Sequence, residues 1–433
     1  MVSDRVISRS QPAPLALGEW FWLIGIMAIG AALRTYIWFH GFALDGKPGL
    51  VRHGDGYLTI AATFTPGSTV GFFEHWRATY QFIYPLYLAP IYAFGLNNGV
   101  YVFWLHHLFV AGTIALMYFC ARRMFGVGPA LLGALAYALQ IQMAYWFNWA
   151  LADTAFHFHL ALGFFFLLQC WDAPTPRRLL GLGACTFLIL FTRPEGFAFT
   201  IGLAASLSFR LASGRFGAIR TVAVFAIVVV CAAMAGALVL SQNKRVREVV
   251  FSNVGVGWGL YYGSHRTPTR ADAVDVILNE MRRSGTEQSL QDPEHRSLWY
   301  WASVAGLERI RRNPLQYLAY SGERIVNAFA PSFFREGVSL RYKLIDRTLA
   351  LFLLVGLVAA LLAPHPVAPL IRSLAFASFC IFALVGLYQS EWDVRVQLSS
   401  HVFLIPIASF GWVSMFHTRR ERLVAARPRA VRA

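Results

Sequence analysis

The chain has 433 residues, 57% of them hydrophobic and only 14% charged, with a mean hydropathy of +0.51. Soluble domains carry about 25% charged residues, so this composition excludes an ordinary water-soluble fold and indicates an integral membrane protein. The net charge of +16 is spread over many loops, as in chains whose arginines set topology and meet anionic lipid, and not gathered on a nucleic-acid-binding module.

Residues 1–19 read as a cytoplasmic N-terminus. The apolar run 20–39 lacks a small-residue cleavage site after it and is expected to stay as an uncleaved first span. A run of about 20 apolar residues crosses the hydrocarbon core, and further spans are predicted at 99–119, 127–147, 153–170, 179–192, 197–209, 221–240, 349–363, 369–388 and 396–416. The expected fold is all-α, a polytopic helix bundle with about ten or more transmembrane helices. Residues 82–95, broken by Pro85 and Pro90, predict a re-entrant or interface-lying element or the start of a longer span. Residues 20–240 thus form an N-terminal transmembrane module with a first loop at 40–81, and 349–416 form the C-terminal transmembrane helices. The segment 241–348 between them is extracytoplasmic, with short interface helices expected around Trp299–Tyr300–Trp301 and over 314–330, and 417–433 is a basic cytoplasmic tail.

Charge sets the parity. With a cytoplasmic N-terminus, Arg122–Arg123, Arg177–Arg178, Arg210 to Arg220, Arg372 and the tail fall inside, and about 18 of the 22 acidic residues fall outside. Both termini are therefore placed in the cytoplasm. All five cysteines (Cys120, Cys170, Cys185, Cys231, Cys380) lie in apolar runs with no metal-knuckle spacing and read as small buried apolar residues.

The charged residues with chemical potential gather towards the outer side. The first loop carries Arg52, His53, Asp55, Tyr57 and His75, and Asp55 stands between two glycines that let a ligand approach the backbone. A solvated Gly-Asp-Gly turn is the ordinary alternative. Asp153 opens the fourth span, where an aspartate ordinarily caps a helix; His157, four residues on, shares its face, whereas His159 points elsewhere. At about 1.5 Å rise per residue, His157 sits roughly 6 Å, and His106 and His107 roughly 10–12 Å, inside the outer edge of their spans. Interhelical hydrogen bonding is the ordinary reading of each histidine. Ionisable side chains inside a bundle cost about 2.5–3.5 kcal/mol at mid-membrane when charged and are functional candidates by default. Asp55, Asp153 and His157 are candidate ligands for Mg2+ or Mn2+, although two carboxylates and an imidazole are few for a site. Arg52, Arg77, Arg193, Arg266 and Arg395 are the candidate phosphate ligands, because the guanidinium fork binds two oxygens at once; pairing of Arg193 with Glu195, and of Arg395 with Glu391 or Asp393, is the alternative. There is no P-loop, dinucleotide glycine pattern or nucleophile elbow, so any activated donor arrives by way of the membrane.

The order of motifs resembles that of the bacterial GT-C glycosyltransferases, the polyprenyl-phosphate-sugar-dependent enzymes that include protein mannosyltransferases and the lipid A aminoarabinose transferase. "RHGDGYLTIA" is similar to the first-loop motif with the family's acidic catalytic residue, and "YPLYLAPIYAFG" to the entry of the next span. "WALADTAFHFHLAL" is similar to the acidic start of the fourth span, and "LFTRPEGFAF" to the Arg-Pro-x-Gly step. "VGWGLYYGSHRTP", "NPLQYLAYSGERIVNAFAP" and "EWDVRVQLSSHVFLIPI" resemble the later periplasmic segments and the polar step before the last span. The resemblance spans about residues 20–416. Two departures stand out: glycines flank Asp55 where a second acidic residue is common, and Arg395 is followed by Val396 instead of tyrosine.

The resemblance implies a GT-C fold in the bacterial cytoplasmic membrane with an extracytoplasmic active site. It implies transfer of a sugar from a polyprenyl-phosphate donor to a lipid, polysaccharide or protein acceptor, with inversion. Asp55 would be the base, Asp153 the second acidic or acceptor residue, and His53, Tyr57, His75 and His157 would line the pocket. No nucleic acid enters, and no cofactor is certain beyond the Mg2+ or Mn2+ considered above. A lipid-linked sugar flippase or other transporter, and an O-antigen polymerase or ligase type of enzyme, are the alternative functions.

Overall fold

The structure is a computed structural model. It describes residues 15–40, 57–62, 64, 82–147, 150–173, 175–193, 298–329, 340–363 and 394–426, together with isolated positions at 196, 199–200, 202–203, 261, 264, 279, 283, 368, 370–372, 374–375 and 378. Among the described residues every regular element is helical. In chain order these are α1 (Leu17–His40), α2 (Tyr57–Ala62), α3 (Ile83–Ala93), α4 (Asn98–Phe125), α5 (Val127–Ala138), α6 (Ile141–Trp146), α7 (Asp153–Asp172), α8 (Pro176–Thr192), α9 (Leu298–Arg312), α10 (Pro314–Phe329), α11 (Leu340–Leu362) and α12 (Val394–Ala426).

Five described helices are long and apolar enough to cross a membrane: α1, α4, α7 and the apolar parts of α11 and α12. The chain is accordingly a multi-pass membrane protein. The predicted spans at 197–209, 221–240 and 369–388 lie largely outside the described residues. The helices expected in the 241–348 segment are α9 and α10. The predicted span 127–147 is corrected to two helices. Leu139 leaves the helical path and Gln140 is extended (φ −70°, ψ 103°), so α5 stops after three turns and α6 restarts beyond it. A buried polar side chain at the break explains the interruption: Gln140 turns inward to His401 of α12.

The helices divide into a centre and a periphery. In α7 and α12, 72% of the apolar window is buried inside the protein, against 28% in α1 and 22% in α11. A helix that is apolar on every side belongs in the middle of a bundle, and α7 packs on α4, α8 and α12. Among the described residues the closest crossing joins α11 to α12. There a Cβ on Gly411 would lie 1.9 Å from the Gly356 carbonyl oxygen, and one on Gly356 would lie 2.4 Å from that of Ala408. Small residues at such crossings let backbones touch, which replaces the hydrophobic drive that lipid does not supply.

Polar contacts define the two ends. At one end Arg122, in the last turn of α4, lies 2.6 Å from Glu19 in the first turn of α1, and the Tyr118 hydroxyl donates to the same carboxylate at 2.7 Å. Arg123 pairs with Asp172 at the end of α7, and Arg178 of α8 donates to the carbonyls of Gln169 and Ala173 at 3.1 and 3.0 Å. Cations on the last carbonyls of a helix are favourable placements. The other end gathers the end of α1, the end of α5, the starts of α4 and α7, and the end of α8. The α3–α4 hairpin turns there: Gly95 adopts φ +60°, which lets Leu96 N–H reach the Ile91 carbonyl at 2.8 Å, and the Asn97 side chain caps α4 by accepting from Val100 N–H at 3.1 Å.

Candidate functional site

The site is anchored by Asp153 and Arg193. Asp153 is not the cap of α7: the N-cap position is Ala152, which makes no side-chain bond. Asp153 is the first helical residue, and its carboxylate pairs with the Arg193 guanidinium while both are almost fully buried. The local chain explains the meeting. Pro194 disfavours a helical residue before it, and Arg193 is extended (φ −151°, ψ 149°), so α8 ends at Thr192. The Arg193 side chain then leaves the helix towards the start of α7, where the helix dipole also favours a carboxylate. Its guanidinium lies 5.9 Å from the Phe156 ring centroid, a cation–π distance. Asp153 is therefore a partner of Arg193, while Glu195, the alternative expected from sequence, lies outside the described residues.

Beside this pair stands Tyr84, which is fully buried and close enough to Asp153 and Tyr57 to feel both electrostatically. The Tyr57 and Tyr84 rings meet edge to face at 5.2 Å. Tyr57 also shares an apolar cluster with Ala150, Leu151 and Ala152, the three residues before Asp153. The first-loop motif is thus tied, through its tyrosine, to the start of α7.

Hydrogen bonds fix the rings behind the pair. His106 Nδ1 lies 2.9 Å from the Phe147 carbonyl oxygen, which can only accept. In the neutral ring Nδ1 carries the proton and Nε2 accepts, so the Tyr84 hydroxyl donates to it at 2.7 Å. The same logic applies to His159. Thr192 donates its hydroxyl to the Leu188 carbonyl at 2.5 Å, so it accepts from His159 Nδ1 at 2.8 Å, and the Tyr87 hydroxyl donates to Nε2 at 3.0 Å. His107 bonds to Thr35 at 3.2 Å. These histidines carry interhelical bonds, the ordinary reading of their sequence positions. His159 does face away from His157 in its partners.

A second group of polar side chains lies at the same end. Arg34 of α1 is fully buried; its Nη1 donates to the Ala138 carbonyl at 2.9 Å and to that of Gly30 at 3.1 Å. Ala138 is the last residue of α5, so Arg34 supplies the donor that the broken helix lacks. Tyr137, the residue before, places its hydroxyl 3.0 Å from His157 Nδ1.

The residues expected from sequence fall into three sets. Asp153, Arg193, Tyr57 and His157 are described and lie at one end of the bundle. Arg52, His53, Asp55, His75, Arg77 and Arg266 lie outside the described residues. Arg395 is placed by its backbone alone, in the first turn of α12. For Mg2+ or Mn2+ the described donors do not fit: Asp153 carries a guanidinium, His157 Nδ1 faces Tyr137, and no group of three His, Cys, Asp or Glu stands together among the described residues. Sequence reasoning missed Tyr84, Gln140, His401 and Arg34. An arginine inside the first apolar run was the visible signal for Arg34, because such a charge requires a partner. Tyr84 and Gln140 gave no comparable signal.

No family model matches this chain, and no curated protein matches it. Among solved structures it is similar to the archaeal oligosaccharyltransferase AglB from Archaeoglobus fulgidus, in complex with an inhibitory peptide and a dolichol-phosphate, with 13% identity and a TM-score of 0.49. The match covers 96% of this chain and 53% of that one, so this chain spans about half the length of the structure it matches. A likeness this slight carries no argument, and the functional reading rests on the residues described above.

Proposed function

We propose that this protein is a membrane glycosyltransferase of GT-C type that moves a sugar from a polyprenyl-phosphate donor to an envelope acceptor, with inversion at the anomeric carbon. The observation that carries the reading is the buried Asp153–Arg193 pair set against Tyr84 and Tyr57. Asp55 precedes Tyr57 by two residues, a chain reach of about 7 Å at most. In this reading that short tether lets the Asp55 carboxylate act beside the buried pair.

In this reading the acceptor hydroxyl attacks C1 of the sugar. The C1–O bond to phosphate breaks, its electron pair leaves with the polyprenyl phosphate, and the acceptor proton passes to the Asp55 carboxylate. A positioned base contributes about 10²–10⁴ in rate. Arg52, Arg266 and Arg395 meet the charge that grows on the leaving phosphate, and Arg193, oriented by Asp153, completes the cationic wall. Such charge stabilisation is strongest where water is excluded and the donors need no rearrangement. The basic end of the bundle faces the cytoplasm by the positive-inside rule, so this site opens to the extracytoplasmic side. Bulk lipid-linked donor reaches it from the outer leaflet.

The test is turnover of radiolabelled polyprenyl-phosphate sugar by the full chain in nanodiscs. The native protein releases polyprenyl phosphate, and Asp55→Asn abolishes release while keeping the native melting temperature. Turnover retained in Asp55→Asn excludes Asp55 as base, and donor translocation without sugar release makes the protein a transporter.

A further inference from the structure

Helix α10 is built inside out. Leu315 and Leu318 keep 79% and 56% of their surface exposed, whereas the polar Ser321 is buried at 3%. Leu315, Leu318 and Gly322 follow one another at three and four residues, so they share one stripe of the helix, and all three are exposed. A helix that rests on a protein core in water turns the other way, leucines in and serine out. The preceding helix α9 packs on α10 and also keeps Val304 and Leu307 exposed. Charge borders this apolar surface. Arg309 is half-buried, with its guanidinium 5.8 Å from the Tyr261 ring centroid. Arg311 and Arg312 are exposed at the end of α9. Arg312 pairs with Glu308, but the two side chains are 72% and 58% exposed, and a pair so solvated is cheap to exchange for another anion. Three residues separate Arg312 from Leu315, a chain reach of about 11 Å. The hairpin is also tethered: α10 ends at Phe329 and α11 begins at Leu340, roughly 40 Å away at full stretch, and the apolar part of α11 is a membrane-crossing segment.

We propose that the α9–α10 hairpin docks on the leaflet at which α11 enters the membrane, with Leu315 and Leu318 set into the acyl boundary and Arg311 and Arg312 on the phosphates of anionic phospholipid. A helix face of this kind sinks about 5–10 Å into the headgroup layer. Each arginine beside an anionic surface strengthens the docking about fivefold, and its planar fork matches two phosphate oxygens. The occupant is lipid because a leucine stripe bordered by cations matches the layers of a leaflet, apolar beneath and anionic above, and because the tether to α11 holds the hairpin within reach of that surface. The inserted face and its preference for anionic lipid go beyond the interface helices expected from sequence. They hold whether or not the chain transfers a sugar.

The experiment follows hydrogen–deuterium exchange of the α10 amides in the full chain, one copy per nanodisc, in phosphatidylcholine and in phosphatidylcholine mixed with phosphatidylglycerol. Amides of α7, in the centre of the bundle, are the internal reference. In the native protein α10 is expected to exchange several-fold more slowly in the mixed lipid, and the difference is expected to shrink at high salt. Arg311→Gln with Arg312→Gln is expected to lose about fivefold of that protection per arginine, and Leu315→Ser with Leu318→Ser to remove the lipid dependence. All four side chains are exposed, so both variants are expected to keep the native melting temperature and native exchange in α7. Equal exchange of α10 in the two lipids, or an unchanged lipid dependence in both variants, overturns the proposal. Protection that appears only with two copies per disc also overturns it, because the face is then a contact between copies. Depth is read separately from a nitroxide on Leu318→Cys, with Cys231 and Cys380 replaced by alanine; Cys120, Cys170 and Cys185 are buried. Collision with oxygen in preference to a water-soluble nickel chelate supports docking, and the reverse preference overturns it.

Discussion

The two ends of the bundle use the same residue types in opposite ways. At the basic end, Arg123 and Asp172 keep 29% and 28% of their side-chain surface exposed, and Arg178 closes helix α7 from the surface. At the other end, Arg34, His106, His157 and His159 have no exposed surface, and the Asp153–Arg193 pair has almost none. Half-solvated pairs are cheap and serve as caps and topological anchors. Fully buried ones carry a desolvation penalty that packing alone gives no reason to accept. The contrast separates charge held at the solvated edge of the bundle from polar groups shut inside it.

The sharpest way to break this comparison is on activity. Asp55→Asn is expected to lower sugar release by about 10²-fold or more with an unchanged unfolding profile, whereas Asp172→Asn at the basic end should leave turnover at the native level. Single-turnover release of labelled polyprenyl phosphate reads both.

On stability, Asp153→Asn leaves Arg193 buried without its countercharge and should destabilise the fold by about 3–5 kcal/mol. The double variant Asp153→Asn with Arg193→Gln should recover part of that loss, because the stranded charge is gone. Thermal unfolding in one detergent gives the cycle, and additive losses would show that the two residues do not interact. Tyr84→Phe comes next. It removes the donor to His106 Nε2 and leaves a buried acceptor unsatisfied, for about 1–3 kcal/mol. Asp172→Asn should cost least, about 1 kcal/mol or below, and the difference should shrink further in high salt because that pair is screened. A large loss in Asp172→Asn would erase the distinction between the ends.

Much of the helical framework was legible along the chain. The runs 20–39, 99–119 and 153–170 became α1, α4 and α7 because twenty apolar residues leave a lipid-embedded backbone little choice but to bond internally. The Arg193–Pro194 step ended α8 as its local stereochemistry required. The run 127–147 was misread because hydropathy averages over Gln140, whose reason to leave the helix is a histidine 261 residues away. Asp153 looked like a cap for the same reason: a cap is a local role, and its actual partner is 40 residues downstream.

Sequence alone determined that this chain lives in a membrane and roughly where its long apolar helices α1, α4 and α7 run. Each of those properties follows from transfer free energy or charge summed over neighbours in the chain, so no contact map is needed to obtain it. Tertiary structure decided which polar groups meet: Arg193 with Asp153, Tyr84 with His106, and Arg34 with the open end of α5. Such pairings depend on how helices cross and on which buried donor lacks an acceptor, and those are properties of the packed bundle, invisible to any window slid along the sequence.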